Sequence, residues 1–363
     1  MRLAEDTRIV REVATAVGLR EGEAGVRAVL AALARLEPVS IRRISRTVEL
    51  PVPIVASVCG ELRKREVVSE ERPAQLTETG RGLFGGGQLG LRTIATCPTC
   101  AGRSVVVLGE LSGLAVELTK VARNAPRPRL ELDQCHCTVG TKLRRVLAMH
   151  QADALVGRRI LLLGDDDLMS LALAAVVHRF GCDSTIATLG VVDADPELVA
   201  FLNEHLAGSP FPLSCVQHDL REPLASDLRR GFDTVVTDPP YTVDAARLFM
   251  SRAADALAGP GGNVFFSFGS KRPGASFQVQ RAIGELGFAI RRLVPDFNEY
   301  VGAGTLGGTS QLYHLIATSE LRPLVTERYD GPLYTASSSP YGLSPRRSRR
   351  AISTSAAGSA KSR

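Results

Sequence analysis

The feature that most restricts the fold of this chain is an alternation of strand and helix signals that begins near Gly157 and runs almost to the end of the folded sequence. Apolar, β-rich runs stand at RRILLLG, STIATLGVVD, LSCVQHD, FDTVVTD and NVFFSFGS. Between them lie LMSLALAAVVHRFG, PELVAFLNEHLA, AARLFMSRAADALAG and FQVQRAIGELG, each with apolar residues at helical spacing. Strands that are apolar on both faces and separated by helices predict a parallel sheet covered on both sides. Two further extended runs, AIRRLVPDF and SQLYHLIATS, follow without a helix between them. In such a sheet, ligands bind at the carboxyl ends of the strands.

Seven strands in this order match the Rossmann-like α/β sheet of S-adenosylmethionine-dependent transferases. The acidic residues fall on its ligand edge: Asp165, Asp166 and Asp167 after strand one, Asp193 and Asp195 after strand two, Asp219 after strand three and Asp238 after strand four. A single aspartate there has a plain explanation as a helix cap. Three in a row over-satisfy a cap and repel one another, so the GDDD loop calls for a cation. Asp193 stands where an acidic residue grips ribose hydroxyls, and Asp219 is placed for the adenine edge. The tetrapeptide Asp238, Pro239, Pro240, Tyr241 closes an apolar strand. Its prolines fix the backbone so that a carbonyl and a carboxylate face one point, which suits an amine whose lone pair must be aimed.

Composition bounds the rest. The chain has 363 residues, 44% hydrophobic, and a formal charge of +6. The last 28 residues carry six basic side chains and no acid, so 6 − 6 leaves the body near neutral. Segment 336–363 therefore reads as a disordered Ser- and Arg-rich tail. No apolar run reaches the roughly 18 to 20 residues of a membrane span, and the start lacks the order of a signal peptide, which predicts a cytoplasmic protein away from membranes. Residues 1–90 predict a winged helix-turn-helix with its third helix at 54–66 and a two-stranded wing in VVSEERPAQLTETGRGL. With 14 basic against 12 acidic residues there, dimerisation or a lid role is favoured over nucleic-acid binding. Residues 91–150 form a connector in which Cys97, Cys100, Cys135 and Cys137 could hold a structural zinc, with His136 a spectator between the last two. Residues 151–335 form the catalytic domain.

The GDDD loop has one glycine, Gly164, where an ordinary adenosylmethionine site uses a glycine-rich turn to take the methionine carboxylate. Three carboxylates resist that anion and suit an ammonium. Decarboxylated S-adenosylmethionine keeps the amine, lacks the carboxylate and transfers an aminopropyl group. An aliphatic amine acceptor has a pKa of about 10, so a carboxylate must take its proton.

At GDDDLMSLALA, DPPYT, CPTC, DQCHCT and FNEYVGAGTLGGTSQLYHLIAT the chain resembles the branched-chain polyamine synthases, also called N4-bis(aminopropyl)spermidine synthases. The resemblance covers nearly everything but the tail. It implies aminopropyl transfer to the secondary amine of spermidine, with an aspartate of GDDD catalytic. Carried over, it implicates Asp165, Asp166 and Asp167 with Asp238 and Tyr241; which of the three removes the proton stays open, with Asp166 the favoured one. Two alternatives stay open: an amino-group methyltransferase using intact S-adenosylmethionine, and a DNA-binding regulator that senses a polyamine.

Overall fold

The computed structural model describes residues 2–84, 96–181, 186–209, 211–269, 273–302 and 308–335. The basic tail at 336–363 lies outside them, as does the segment around the boundary drawn at residue 90. The first region is helical: α1 (Arg2–Val17), α2 (Gly22–Leu36), α3 (Ile41–Val48), α4 (Val52–Lys64) and α5 (Glu78–Phe84). Ser40 starts α3 by accepting the Arg43 N–H. Val26, Val29, Leu30 and Leu33 of α2 pack with Ile44, Val55, Val58 and Leu62 into a core separate from that of the sheet.

The three helices read from the sequence between residues 22 and 66 are α2, α3 and α4. The wing differs from expectation. Among the described residues it consists of isolated antiparallel bridges, Val68↔Leu76 and Val39↔Ala74, and ETGRGLF is the helix α5. Gly80 explains the local packing, because a Cβ there would lie 2.2 Å from the Val67 carbonyl oxygen.

Two helices precede the sheet, α6 (Ser112–Asn124) and α7 (Val139–Gln151). The sheet then alternates β1 (Arg159–Leu163), α8 (Met169–Arg179), β2 (Thr188–Asp193), α9 (Pro196–Leu206), β3 (Leu213–Gln217), β4 (Thr234–Thr237), α10 (Val243–Ala256), β5 (Asn263–Phe268) and α11 (Pro273–Glu285). It ends with β6 (Phe288–Glu299) and β7 (Thr309–Ala317). The strand order is β3-β2-β1-β4-β5-β7-β6, parallel from β1 to β5, with β7 antiparallel between β5 and β6. A short connection replaces the crossover helix before β7, which forces the antiparallel pairing.

Alternation along β1 divides the core. Ile160 and Leu162 face α6, α7, α8 and α9, while Leu161 and Leu163 face α10 and α11. The segment read as a connector thus supplies much of one layer, through Leu114, Leu118, Leu143 and Val146. No helix among the described residues is long and apolar enough to cross a membrane.

Candidate active site

A cleft of about 580 Å³ opens at the carboxyl ends of β1 to β4. Of the residues expected in the site, Gly164, Asp166, Asp193, Asp219, Asp238 and Pro240 line it. Leu132, His218, Phe249, Leu333 and Tyr334 complete walls that the sequence did not single out.

The three aspartates of GDDD have three different surroundings. Asp165 is 1% exposed and turned into the protein. Its carboxylate accepts the Met169 N–H at 2.6 Å, the Ser170 N–H at 3.2 Å and the Ser170 hydroxyl at 2.5 Å, so it satisfies the start of α8. Burial pushes its pKa up to about 7 despite those bonds. Asp167, 3% exposed, accepts the Cys137 N–H at 2.5 Å and Arg145 Nη1 at 2.6 Å. Burial would raise it, but the charges of Arg145 and Lys142 outweigh that and hold it down at about 2. Only Asp166 of the three faces the cleft. The Cys135 N–H donates to one of its oxygens at 2.9 Å. Burial, followed by the charges of Asp167, Asp238 and Asp193, raises its pKa well above the usual carboxylate range.

Thus the expectation of a three-carboxylate cage for a bound cation is corrected in part. The protein brings its own cations to Asp167, and Asp165 is a cap. Arg145 and Lys142 lie on the buried face of α7 and are 2% exposed each. Arg145 donates Nη2 to Asp238 at 2.7 Å and Nε to Asn298 Oδ1 at 2.8 Å. Lys142 Nζ bonds the Asp167 carbonyl. A buried guanidinium is tolerable only with such pairing.

Asp238 also accepts the Tyr300 hydroxyl at 2.5 Å and the Tyr241 hydroxyl at 3.1 Å. Burial lifts its pKa to about 7, with Arg145 opposing. Tyr241 lies behind Asp238 and is not among the residues that line the cleft. Its hydroxyl oxygen lies 2.6 Å from the Tyr300 oxygen and its ring meets Phe268 edge-on. Gly269 leaves room for that ring, since a Cβ there would come within 2.6 Å of it. Pro239 is buried, and the Pro240 carbonyl accepts the Thr242 N–H at 2.8 Å.

On the other side of the cleft, Asp193 accepts the Asp165 N–H at 2.8 Å and the Asp195 N–H at 2.9 Å. Asp195 caps α9 through the Glu197 and Leu198 N–H groups. Asp219 lines the cleft while paired to Arg221, Nη2 to Oδ2 at 2.8 Å.

The cysteines require a correction. No group of three or more His, Cys, Asp or Glu side chains that could hold a metal exists among the described residues, so the two pairs do not form a zinc cage. The physical reason is what each pair does instead. Cys135 and Cys137 turn their N–H groups onto Asp166 and Asp167, and the Cys137 thiol is buried with its pKa pushed up by burial and by Asp167. Cys97 sits in an exposed turn closed by the Ala101 N–H on its own carbonyl. His136 is no spectator. Its Nδ1 lies 2.6 Å from the Asp166 carbonyl oxygen, so that nitrogen carries the proton and braces the loop.

Sequence reasoning missed Lys142, Arg145, Asn298 and Tyr300. A signal existed for the first two, since TKLRRVLAM places cations at i and i+3 on a face otherwise occupied by Leu143, Val146 and Met149. Asn298 and Tyr300 lie inside the FNEY stretch already noted.

This fold and this acidic cleft define a Rossmann-like α/β transferase. Residues 113–321 match the family described as branched-chain polyamine synthase A C-terminal domain. The N(4)-bis(aminopropyl)spermidine synthase of Thermococcus kodakarensis is 33% identical over 267 residues, covering 72% of this chain and 74% of that one. An uncharacterized protein of Methanocaldococcus jannaschii is 32% identical over 310 residues, covering 85% and 77%. The crystal structure of the branched-chain polyamine synthase from Thermus thermophilus, in complex with N4-aminopropylspermidine and 5'-methylthioadenosine, superposes with a TM-score of 0.71 at 25% identity over 93% of this chain and 98% of that one. The chain belongs to the branched-chain polyamine synthase family.

Proposed function

We propose that this protein is an aminopropyltransferase that moves aminopropyl groups from decarboxylated S-adenosylmethionine to the secondary amine of a spermidine-like acceptor, giving a branched polyamine. The observation that carries this reading is the allocation of hydrogen bonds after β1. The Gly164 N–H bonds the Val192 carbonyl, the Asp165 N–H bonds Asp193, the Leu168 N–H bonds the Asp165 carbonyl, and the Met169 and Ser170 N–H groups bond the Asp165 carboxylate. Donors that would receive a methionine carboxylate are thus engaged inside the protein. Asp166, Asp193 and Asp238 face the cleft instead, a surface for ammonium groups.

In this reading Asp193 holds the donor's ribose and Asp219 meets the adenine edge, with Tyr334 and Leu333 beside it. The acceptor nitrogen lies between Asp166 and Asp238. It attacks the aminopropyl carbon next to sulfur, the carbon–sulfur bond breaks, and the thioether leaves as 5'-methylthioadenosine. Asp166 takes the amine proton, and burial beside Asp167 and Asp238 raises its affinity for that proton. The Thermus relative holds both products that such a transfer would leave. Asp238, kept in register by Arg145, Tyr241 and Tyr300, orients the acceptor.

Incubating the purified protein with spermidine and either donor, followed by mass spectrometry of the polyamines, tests the reading. The expected result is one or two aminopropyl additions from the decarboxylated donor. Methyl addition from S-adenosylmethionine would replace it with the methyltransferase reading, and absence of any transfer would overturn it.

A further inference from the structure

Glu299, the last residue of β6, joins four separate parts of the chain. Its carbonyl accepts the Thr138 N–H at 2.7 Å, and its own N–H donates to Thr141 Oγ1 at 3.0 Å. Both main-chain groups thereby clasp the first turn of α7. Its carboxylate accepts Arg144 of the same helix at 3.3 Å and Arg103, from the turn after CPTC, at 2.9 Å. Arg46 of α3 lies 3.7 Å away. Arg103 and Arg144 also reach back to the β6 carbonyls of Asp296 and Phe297. Three guanidiniums thus converge on one carboxylate, and Arg144 is held below its usual pKa by burial and by the charge of Arg103.

This clasp lies one turn from the side chains that set the charge of the site. Lys142 follows Thr141 directly on α7, Arg145 lies one turn further on next to Arg144, and Tyr300 follows Glu299. The β6·β7 register breaks between Val294 and Asn298 and resumes at Asn298↔Ser310 and Glu299↔Thr309, so only two ladder pairs follow the break.

We propose that Glu299 is a positioning residue for transfer: by tying the start of α7 to the end of β6 and to Arg46 of the N-terminal helices, it holds the Arg145 guanidinium against Asp238. The proposal rests on the reading of Asp238 as the acceptor-side carboxylate. The groups facing Asp238 are Arg145 from α7, Asp166 and Asp167 from the loop after β1, Cys135 from the segment before α7, and Tyr241 and Tyr300. Arg145 is the only full cation among them. If it withdraws, Asp238 meets only anions and neutral groups, and its protonated form is favoured over a wider pH range.

The test is the pH profile of aminopropyl transfer by the full chain carrying Glu299→Gln. The expected result is a kcat lower by about tenfold at neutral pH and an acid limb displaced upward by about one pH unit, with the donor KM within about twofold of wild type. A double variant, Glu299→Gln with Arg103→Gln, removes one of the crowded guanidiniums and is expected to bring the limb part of the way back. An acid limb in its wild-type place overturns the proposal, even if the melting temperature falls, because that pattern is purely structural. If Glu299→Gln does not fold, Arg46→Gln takes its place with the same criterion and a smaller displacement. A wild-type protein that transfers nothing would fail the functional reading alone. Spermidine affinity against pH, measured by calorimetry on the same variants, then still reports whether Glu299 governs Asp238.

Discussion

The two halves of the cleft hold the same residue type under opposite electrical conditions. On the side proposed for the donor, Asp193 accepts the Asp165 N–H from the turn after β1 and the Asp195 N–H from its own turn, and Asp195 accepts the Glu197 N–H. On the side proposed for the acceptor, Asp167 and Asp238 share a single guanidinium supplied from α7, and Asp166 feels the charge of both carboxylates. Asp167 and Asp166 are sequence neighbours, yet one is held at about 2 and the other is driven well above the carboxylate range. The charge of a buried carboxylate is thus set by the partner that a distant element brings to it, not by the local run of acids. On the proposed reading, substitutions on the donor side should act by degrees, whereas a change at Arg145 should alter Asp167 and Asp238 together.

The comparison can be broken most directly at the proposed base, Asp166. Asp166→Asn should lower kcat by about 10² to 10⁴-fold, the range for loss of a positioned proton acceptor. It should also leave the protein folded and, at pH 8, at least as heat-stable as wild type. The sign follows from the raised pKa: the ionised carboxylate opposes folding above the ordinary carboxylate pKa, so the stability gap should close as pH falls towards about 4. Full turnover, or a stability gap that widens on acidification, would contradict the assignment.

Arg145→Met removes the shared cation and leaves Asp167 and Asp238 buried without it. Denaturant titration should show a loss of about 3 to 5 kcal/mol. A loss below about 1 kcal/mol would mean that the cluster is not held by this pair.

The pH response sharpens the same contrast. With Asp238 at about 7, polyamine affinity should rise with pH through neutrality, by at most about tenfold per unit for each carboxylate that must ionise. Calorimetry should show proton release on binding below that point. The donor product 5'-methylthioadenosine, which carries no ammonium, should bind with little pH dependence over the same range. Asp193→Asn should cost roughly tenfold in donor KM with kcat nearly unchanged, because it touches binding common to ground and transition states. The smallest effect belongs to the exposed turn: Cys97→Ser should change stability by no more than about 0.5 kcal/mol, and the protein should contain no stoichiometric zinc.

The same division separates what the sequence discloses from what it conceals. Apolar runs and helical spacing announced the seven strands and the helices between them, and the acids at the strand ends lie where the alternation implied. Gly164, Asp166, Asp193, Asp219, Asp238 and Pro240 all face one cleft, because each belongs to a local strand-to-helix turn. The acceptor half was concealed because its partners are distant in sequence. The Cys135 and Cys137 N–H groups reach the loop from about 30 residues upstream, and Tyr300 reaches Asp238 from 62 residues downstream. The cysteines drew attention for their thiols, whereas the fold uses their backbone. The GDDD run looked like three equivalent charges because nothing local distinguishes Asp165 from Asp167; a cap and a guanidinium do.

Donor selectivity tests the central claim most directly, namely that the turn after β1 has become a place for a cation instead of a carboxylate. Transfer rates at matched concentrations of decarboxylated and intact S-adenosylmethionine, with spermidine as acceptor, should favour the decarboxylated donor by at least about 10²-fold, the cost of setting an unpaired carboxylate against buried anions. Equal use of the two donors, or preference for the intact one, would contradict it.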